Sequence, residues 1–360
     1  MNTHTPNTKN PGRVTVKEIS REAGVSIGTV DRVLHGRPGV SERTKAKIEA
    51  IIENLGYTPN ALARNLSLNK RRVVHILMPF SNQDSGYWAL CRRGVEAGIA
   101  EFADYGIEPR IEEFNRYDRP AFRRLLSRFA ENPGDGLLVA PVLPDELLRG
   151  LVGLAPEYPY VFFDGSIEGA HPFAAIGQDA VRAGHAAARM MSLLAPEAKN
   201  YIALNAHAED RHIRQRIKGF TDFFAETRKR SDVGPGISVE DCFDIEDPVA
   251  LDAFLTRLFG STRNVDGILV ANASGHSVGE WLVSSGHKAG CALVTWDLVP
   301  ANEKGLREGA VDCVVSQRPF DQGKRALATL VRHVTGVGAD PGNIEIPIEI
   351  WLRENLPVSG

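Results

Sequence analysis

Along the chain, apolar positions follow two different rhythms. Over residues 16–55 they recur every three or four places: Val16, Ile19 and Ala23, then Val30, Val33 and Leu34, then Ala46, Ile48, Ile51, Ile52 and Leu55. That is helical spacing. Thr15-x-x-Glu18 has the spacing of a capping box, and Ser26 and Ser41 stand where N-caps belong. Gly24, Gly36, Pro38 and Gly56 supply the stops. Each run is too short to persist alone in water, so the three helices must share one small core. The first two, joined by a glycine turn, have the form of a helix-turn-helix.

From residue 73 the rhythm changes to short apolar runs alternating with longer amphipathic ones. VVHILMPF, RIEEFN, GLLVAPV and YVFFDG read as strands, separated by helical stretches such as RPAFRRLLSRFAEN. A second series begins near AAIGQD and continues through YIALNA, GILVAN and CALVTWD. Alternation of this kind predicts parallel sheets covered by helices. Two consecutive series predict two lobes, with a ligand at the strand carboxyl ends between them.

Composition changes the picture in one respect. Residues 1–72 hold 13 Lys/Arg against 6 Asp/Glu, a net of +7, so the remainder carries −10 of the total −3. A basic head on an acidic body points to a polyanion-binding module joined to something else. The four cysteines lack CxxC spacing, which argues against disulfides or a zinc site and suits a reducing cytosol. No secretory leader or membrane-length apolar run is visible, and the expected location is the cytoplasm.

Pro59 and Asn60 open a further helix of about two turns, in YTPNALARNLSLNKRR, that needs DNA or a second copy of itself to form. Leu66 stands where an apolar wedge enters a minor-groove step.

The segment from Val14 to Leu66, with its AGVS-x-x-TV turn, VSE-x-T cap and LGY-x-PN-A-AR-L hinge, resembles the DNA-binding headpiece of the lac-repressor family of bacterial transcription regulators. The resemblance implies that Ile27, Gly28 and Arg32 face base edges and that Thr15, Ser26, Thr29 and Asn60 hold phosphates. It also implies that Ala63 and Leu66 lie in the minor groove. Two positions depart from the usual pattern. Asp31 stands where serine is common, and Gly28 where a longer polar side chain is common. Arg32 is left as the clearest reader, suited to bidentate bonding of guanine. For Asp31 three roles stay open: repulsion of phosphate, acceptance from a cytosine amino group, or pairing with His35.

Residues 73–355 are similar, more loosely, to the periplasmic sugar-binding-protein fold of that family's effector domains, through IRQRIKGF, ILVAN, LVTWD and the YVFFDG strand end. This likeness implies Arg216, Asn272, Asp297 and Gln317 on the second lobe or hinge and Asp84, Tyr87, Trp88 and Asp164 on the first. Asp179 is a further candidate that equally well caps the following helix. Carboxylates accept hydroxyl hydrogens, Arg and Asn bracket ring oxygens, and aromatic faces cover a sugar's C–H side, so the implied effector is a carbohydrate or polyol. Gly165 departs from the arginine that often follows the strand-end aspartate in sugar-binding relatives. His171, His185, His207 and His212 lack metal-ligand spacing and read as surface or core histidines.

The expected organisation is a polar tail over 1–12, an all-α helix-turn-helix unit over 13–58 and a hinge helix with linker over 59–72. An α/β two-lobed domain follows over 73–360. Its lobes are 73–174 with 318–345, and 175–317 with 346–360. The expected partners are a near-palindromic double-stranded operator, a small effector and a second copy of the chain. No membrane, cofactor, metal or catalytic role is expected. A rival reading rests on GHSVG at 275–279, a GxSxG match followed by Asp297, Asp312 and His333. It is weakened because Asn272, Ala273 and Ser274 separate it from the strand.

Overall fold

The computed structural model describes residues 16–34, 37–55, 71–207, 210–231, 234–261, 264–337 and 342–357. Thr15, His35, Asn60, Ala63 and Leu66, and with them the expected tail and hinge helix, lie outside these. The chain divides into two compact units, residues 1–67 and 68–360.

The first unit contains α1 (Val16–Ala23), α2 (Ile27–Leu34) and α3 (Glu42–Asn54). Ile19, Ala23, Val30 and Ile48 form its core, one or two from each helix, with Val16, Val33, Ile51 and Leu55 packed around them. Gly24 turns the chain between α1 and α2 at φ +67°, a conformation that costs glycine little. The Ser26 hydroxyl accepts from the Thr29 amide at 3.1 Å, and the Ser41 hydroxyl accepts from Thr44 at 3.3 Å. Lys47 Nζ donates to the Ala23 carbonyl at 2.9 Å, closing α3 onto the end of α1.

The second unit contains two six-stranded sheets. The first joins β1 (Arg72–Pro79), β2 (Ile107–Phe114), β3 (Gly136–Val139), β4 (Tyr160–Phe163), β5 (Ala174–Gly177) and β11 (Ile344–Glu345). Their order is β11-β5-β4-β3-β1-β2, parallel throughout. The second joins β6 (Asn200–Asn205), β7 (Gly236–Asp241), β8 (Gly267–Val270), β9 (Ala292–Trp296), β10 (Cys313–Ser316) and β12 (Glu349–Trp351). Its order is β12-β10-β9-β8-β6-β7, and only β12 runs antiparallel. The two lobes thus repeat one strand order.

Around the first sheet lie α4 (Tyr87–Glu101), α5 (Arg119–Glu131), α6 (Pro144–Leu151) and α12 (Pro319–Thr335). Around the second lie α7 (Ala180–Leu194), α8 (Arg211–Ser231), α9 (Pro248–Phe259), α10 (Gly275–Ser284) and α11 (Pro300–Glu308). The chain crosses between lobes after β5, after β10 and after β11. The first crossing falls after Gly177, close to the boundary expected at about 174, because β5 completes three pairs with β4 before leaving. Alternation within β6 sends Ile202 and Leu204 to one face of its sheet and Tyr201 and Ala203 to the other.

Each lobe packs one helix pair through reciprocal glycines. A methyl on Gly94 of α4 would strike the Phe320 carbonyl of α12 at 2.0 Å, and one on Gly323 would strike the Cys91 carbonyl at 2.4 Å. In the other lobe Gly184 of α7 meets the Arg216 carbonyl and Gly219 of α8 meets the Val181 carbonyl, both at 2.0 Å. The obstacles are backbone, so no rotamer relieves them. Gly184→Ala should therefore destabilise by about 1–3 kcal/mol through overpacking, although alanine is the better helix former. Urea unfolding checks this, and an unchanged or raised midpoint would refute the close crossing.

Candidate functional site

In the first unit α2 buries Val30 and leaves one side in water. Ile27 is 52% exposed, Ser26, Gly28 and Arg32 are exposed, and Thr29 is half-buried. An isoleucine in water beside a solvent-facing arginine contributes nothing to the core. Nor does packing require Gly28, since a methyl there would meet only Ser26 Oγ, at 3.8 Å. Asp31 lies 3.4 Å from Arg37 Nη1, an exposed pair joining the helix to the turn after it.

In the second unit the chemistry gathers where the strands end. Asp84 follows β1, Arg116 follows β2 and Asp164 follows β4; Asn272 follows β8, Asp297 follows β9 and Gln317 follows β10. These line one cleft together with Tyr87, Trp88, His207, Asp210, His212 and Arg216. Eight of the nine residues expected there from the sequence share this cleft. Asp179 does not. Its carboxylate accepts from the Arg182 amide at 2.9 Å, capping α7, and it borders a second, wider groove.

Among the described residues, the non-glycine residues in the left-handed region are Asp84, Ser85, Asp164, Asp297 and Arg318, with φ between +52° and +72°. Asp84, Asp164 and Asp297 line the cleft. Such a conformation costs of order 1 kcal/mol or more and persists where the surroundings over-determine it. Buried amides supply that restraint at Asp164 and Asp297. Asn302 Nδ2 lies 2.9 Å from the carbonyls of Ala273, Trp296 and Asp297. Gln322 Oε1 accepts from the Asp164 amide at 2.8 Å, and its Nε2 donates to the Gln317 carbonyl at 2.9 Å.

The lobes are tied by an ion triad. Arg116 Nη1 donates to Asp84, and its Nη2 donates to Asp210 of the other lobe. Burial would lower the Arg116 pKa, but Asp210 and Asp84 together hold it above the ordinary value. Burial would raise the Asp210 carboxyl, but Arg116, His212 and His207 keep it below the usual range. A second tie is polar: Ser85 donates to Glu246 at 2.7 Å and stands 3.0 Å from the Ser274 hydroxyl.

On the first lobe Tyr87 donates to Asp164 at 2.5 Å and Trp88 Nε1 donates to Asp84 at 2.6 Å. On the second, Asp297 accepts from the backbone and side chain of Gln317, both at 3.0 Å. Burial raises its carboxyl to about 6, against the pull of Arg216 and these bonds. Arg216 donates to the Ala271 carbonyl at 2.9 Å and lies 4.8 Å above the Trp296 ring, while its buried Nε has no partner. Burial lowers its pKa, opposed by Asp297 and Asp164.

Arg116, Asp210, His207 and His212 are cleft residues that the sequence does not single out, and the two histidines there read as surface or core. The two histidines are half-buried cleft walls, with pKa values lowered first by desolvation. The available signal was position: Arg116 directly follows a strand, and Asp210 and His212 flank the start of α8.

The GHSVG segment forms the first turns of α10, where Ser277 Oγ lies 3.3 Å from the Nε2 of its neighbour His276. Its proposed partners are engaged elsewhere: Asp297 with Gln317, Asp312 with Lys288, and His333 against Phe173. Among the described residues no cluster of metal-ligating side chains occurs, and no helix is long and apolar enough to cross a membrane. Cys91, Cys242, Cys291 and Cys313 are buried and free.

The sequence matches the periplasmic binding protein domain family over residues 76–338 and the bacterial regulatory proteins of the lacI family over residues 15–60. Catabolite control protein A of Streptococcus mutans is 37% identical over 94 residues, 26% of this chain and 27% of that protein. The alignment thus reaches about a quarter of that relative's length. A structure assigned as a LacI transcriptional regulator of Bacteroides fragilis covers 79% of this chain and 98% of its own at 24% identity and TM-score 0.70. A transporter solute-binding protein of Burkholderia graminis, in complex with D-arabinose, covers 81% of this chain and 98% of its own at 16% identity and TM-score 0.68. The chain therefore belongs to the periplasmic-binding-protein domain family and carries the helix-turn-helix of the bacterial lacI regulators at its N-terminus.

Proposed function

We propose that this chain is a sequence-specific DNA-binding regulator of transcription, a repressor, whose operator affinity is set by a neutral polyol bound between the two lobes. The observation that carries the reading is the solvent face of α2, where Ile27 and Arg32 stand free of the core. Ile27, Gly28 and Arg32 read base edges in the major groove. Ser26 and Thr29 hold phosphates, as do Thr15 and Asn60, while Ala63 and Leu66 enter the minor groove. The unit acts as a cytoplasmic homodimer on a near-palindromic operator, without cofactor and without catalysis. Ligand changes the lobe arrangement and so orders or releases the hinge, a coupling of about 1–3 kcal/mol.

The cleft chemistry supports a neutral, donor-rich ligand. Asp84, Asp164, Asp210 and Asp297 face only two guanidiniums, Arg116 and Arg216. The excess of acceptors suits hydroxyl hydrogens, and a phosphorylated sugar would add negative charge to buried carboxylates. Asp84, Tyr87, Trp88, Asp164, Arg216, Asn272, Asp297 and Gln317 make the contacts, and Asp179 shapes the approach. The D-arabinose complex of the solute-binding protein is compatible with this class.

Three measurements follow from this reading. A thermal-shift series of sugars and polyols should show a stabilisation of about 2.7 kcal/mol at ligand near 100 times Kd, reduced by Asp164→Asn. Stabilisation by sugar phosphates but not by their parent sugars would refute the neutral-ligand reading. Arg32→Ala should cost about 1–3 kcal/mol of operator binding and relax preference at one base position; unchanged specificity in anisotropy titrations would contradict the docking. Asp31→Ser releases Arg37 and removes a negative charge, so operator and random DNA should both bind tighter, with a steeper salt dependence. A changed base preference at constant salt slope would instead make Asp31 a reader.

A further inference from the structure

The chain crosses between the lobes after β5, after β10 and after β11, and one side chain touches all of these crossings. Gln178 is the first residue after β5. Its Nε2 donates to the carbonyl of Ser316, the last residue of β10, at 3.0 Å. It also donates to the carbonyl of Pro347, between β11 and β12, at 3.3 Å. Its Oε1 is buried and accepts no hydrogen bond among the described residues. Turning the amide over would set that oxygen against two carbonyl oxygens, so only one orientation satisfies the site. The backbone adds a tie from the Ile346 amide to the Gly177 carbonyl at 2.7 Å. The Arg182–Glu345 ion pair is exposed, and such pairs hold little in water.

The carbonyl that Gln178 holds belongs to a peptide unit with a second bond. Its C=O is that of Ser316, and its N–H is that of Gln317. That N–H donates to Asp297 Oδ1 at 3.0 Å, and the Gln317 side chain donates to Asp297 Oδ2 at 3.0 Å. One planar peptide thus stands between a carboxylate of the cleft and an amide at the crossings. An N–H drawn toward an anion makes the carbonyl of the same peptide a better acceptor, and bonds in such a chain strengthen one another. The chain runs from Asp297 through the 316–317 peptide and Gln178 to Pro347. It leads from the cleft to the third crossing.

Asp297 lines the cleft, and a ligand hydroxyl donating to it draws on the charge that holds the 316–317 N–H. With that charge engaged elsewhere, the Ser316 carbonyl is a weaker acceptor for Gln178. The crossings then lose part of what keeps them at one spacing. Coupling between two places in a fold needs an element that both bias. Here that element is the amide of Gln178.

We propose that Gln178 is a positioning residue that transmits the engagement of the Asp297 carboxylate to all three crossings, and so sets the lobe arrangement from within the cleft. This rests on the reading above that ligand acts through the lobe arrangement, and it adds the route. The test uses neither ligand nor DNA, so failure of the relay leaves that reading in place.

Hydrogen–deuterium exchange of the full chain, read peptide by peptide in a mass spectrometer, tests the relay. Gln178→Met keeps the length of the side chain and removes both donations. Asp297→Asn should speed exchange in residues 344–350 by about threefold or more, and in the Gln178→Met background it should add nothing there. Gln178→Met alone should speed exchange in 344–350 and, by reciprocity, in 295–300 around Asp297, to which Gln178 makes no direct bond. The strand β7, at the opposite edge of the sheet from β12, should exchange as in the wild type. The proposal is overturned if Asp297→Asn leaves 344–350 unchanged, or if its effect there is the same with and without Gln178. A rise of equal size in β7 marks a general loss of stability and overturns it as well. If Asp297→Asn does not fold, Gln178→Met decides alone: unchanged exchange in 295–300 removes the relay.

Discussion

A guanidinium taken out of water needs a carboxylate at each donor edge, and Arg116 takes one from each lobe. Desolvating each ion costs several kcal/mol even after relaxation, and deleting one partner of such a set typically costs about 3–5 kcal/mol. The Arg116–Asp84–Asp210 triad is therefore satisfied only while the lobes are together. A ligand entering the inner space has to leave the triad intact or replace its bonds. The triad also bears on the scale of control. A ligand shifts the lobe equilibrium only by its differential affinity for the two arrangements, and the triad contributes to the arrangement in which the lobes are together.

The triad can be this specific because the backbone beneath it is held on all sides. Parallel strands of one repeated order bring both sets of carboxyl ends to the same cleft, where open α/β sheets bind ligands. Left-handed turns at Asp84, Asp164 and Asp297 aim the carboxylates, and the amides of Gln322 and Asn302 fix the latter two. Further back, the crossing of α7 and α8 leaves no room for a methyl between Gly184 and the carbonyl of Arg216. The position of the Arg216 guanidinium over Trp296 thus depends on a contact on the far side of its own helix.

How much of this was legible follows from the range of each interaction. The headpiece is governed by local rules, caps and glycine stops a few residues apart, so Ser26, Ser41 and Gly24 could be placed from the sequence. Strand ends were also legible, because an apolar run followed by Asp164, Asn272 or Asp297 is a local pattern. Arg116 and Asp210 are 94 residues apart and meet only through the fold, and nothing near either announces a partner. Asp179 shows the reverse case: a strand-end acid whose strongest bond is the local cap of α7. Asp31 pairs with Arg37 across a turn, a partner that no local spacing rule announces, while the expected partner His35 lies outside the described residues.

The two units handle charge in opposite ways, and that difference separates their functions. In the headpiece the charges are exposed, so ions in solution screen them over a Debye length of about 8 Å at physiological salt. The affinity of such a surface for a polyanion falls steeply as salt rises, by counterion release. In the cleft the carboxylates and guanidiniums are buried against one another and are screened far less. Raising salt should thus weaken the DNA-binding event while leaving the ligand event nearly unchanged. A ligand-driven change in operator affinity that persists across that range would then come from coupling through the structure, since surface electrostatics alone would fade with the salt.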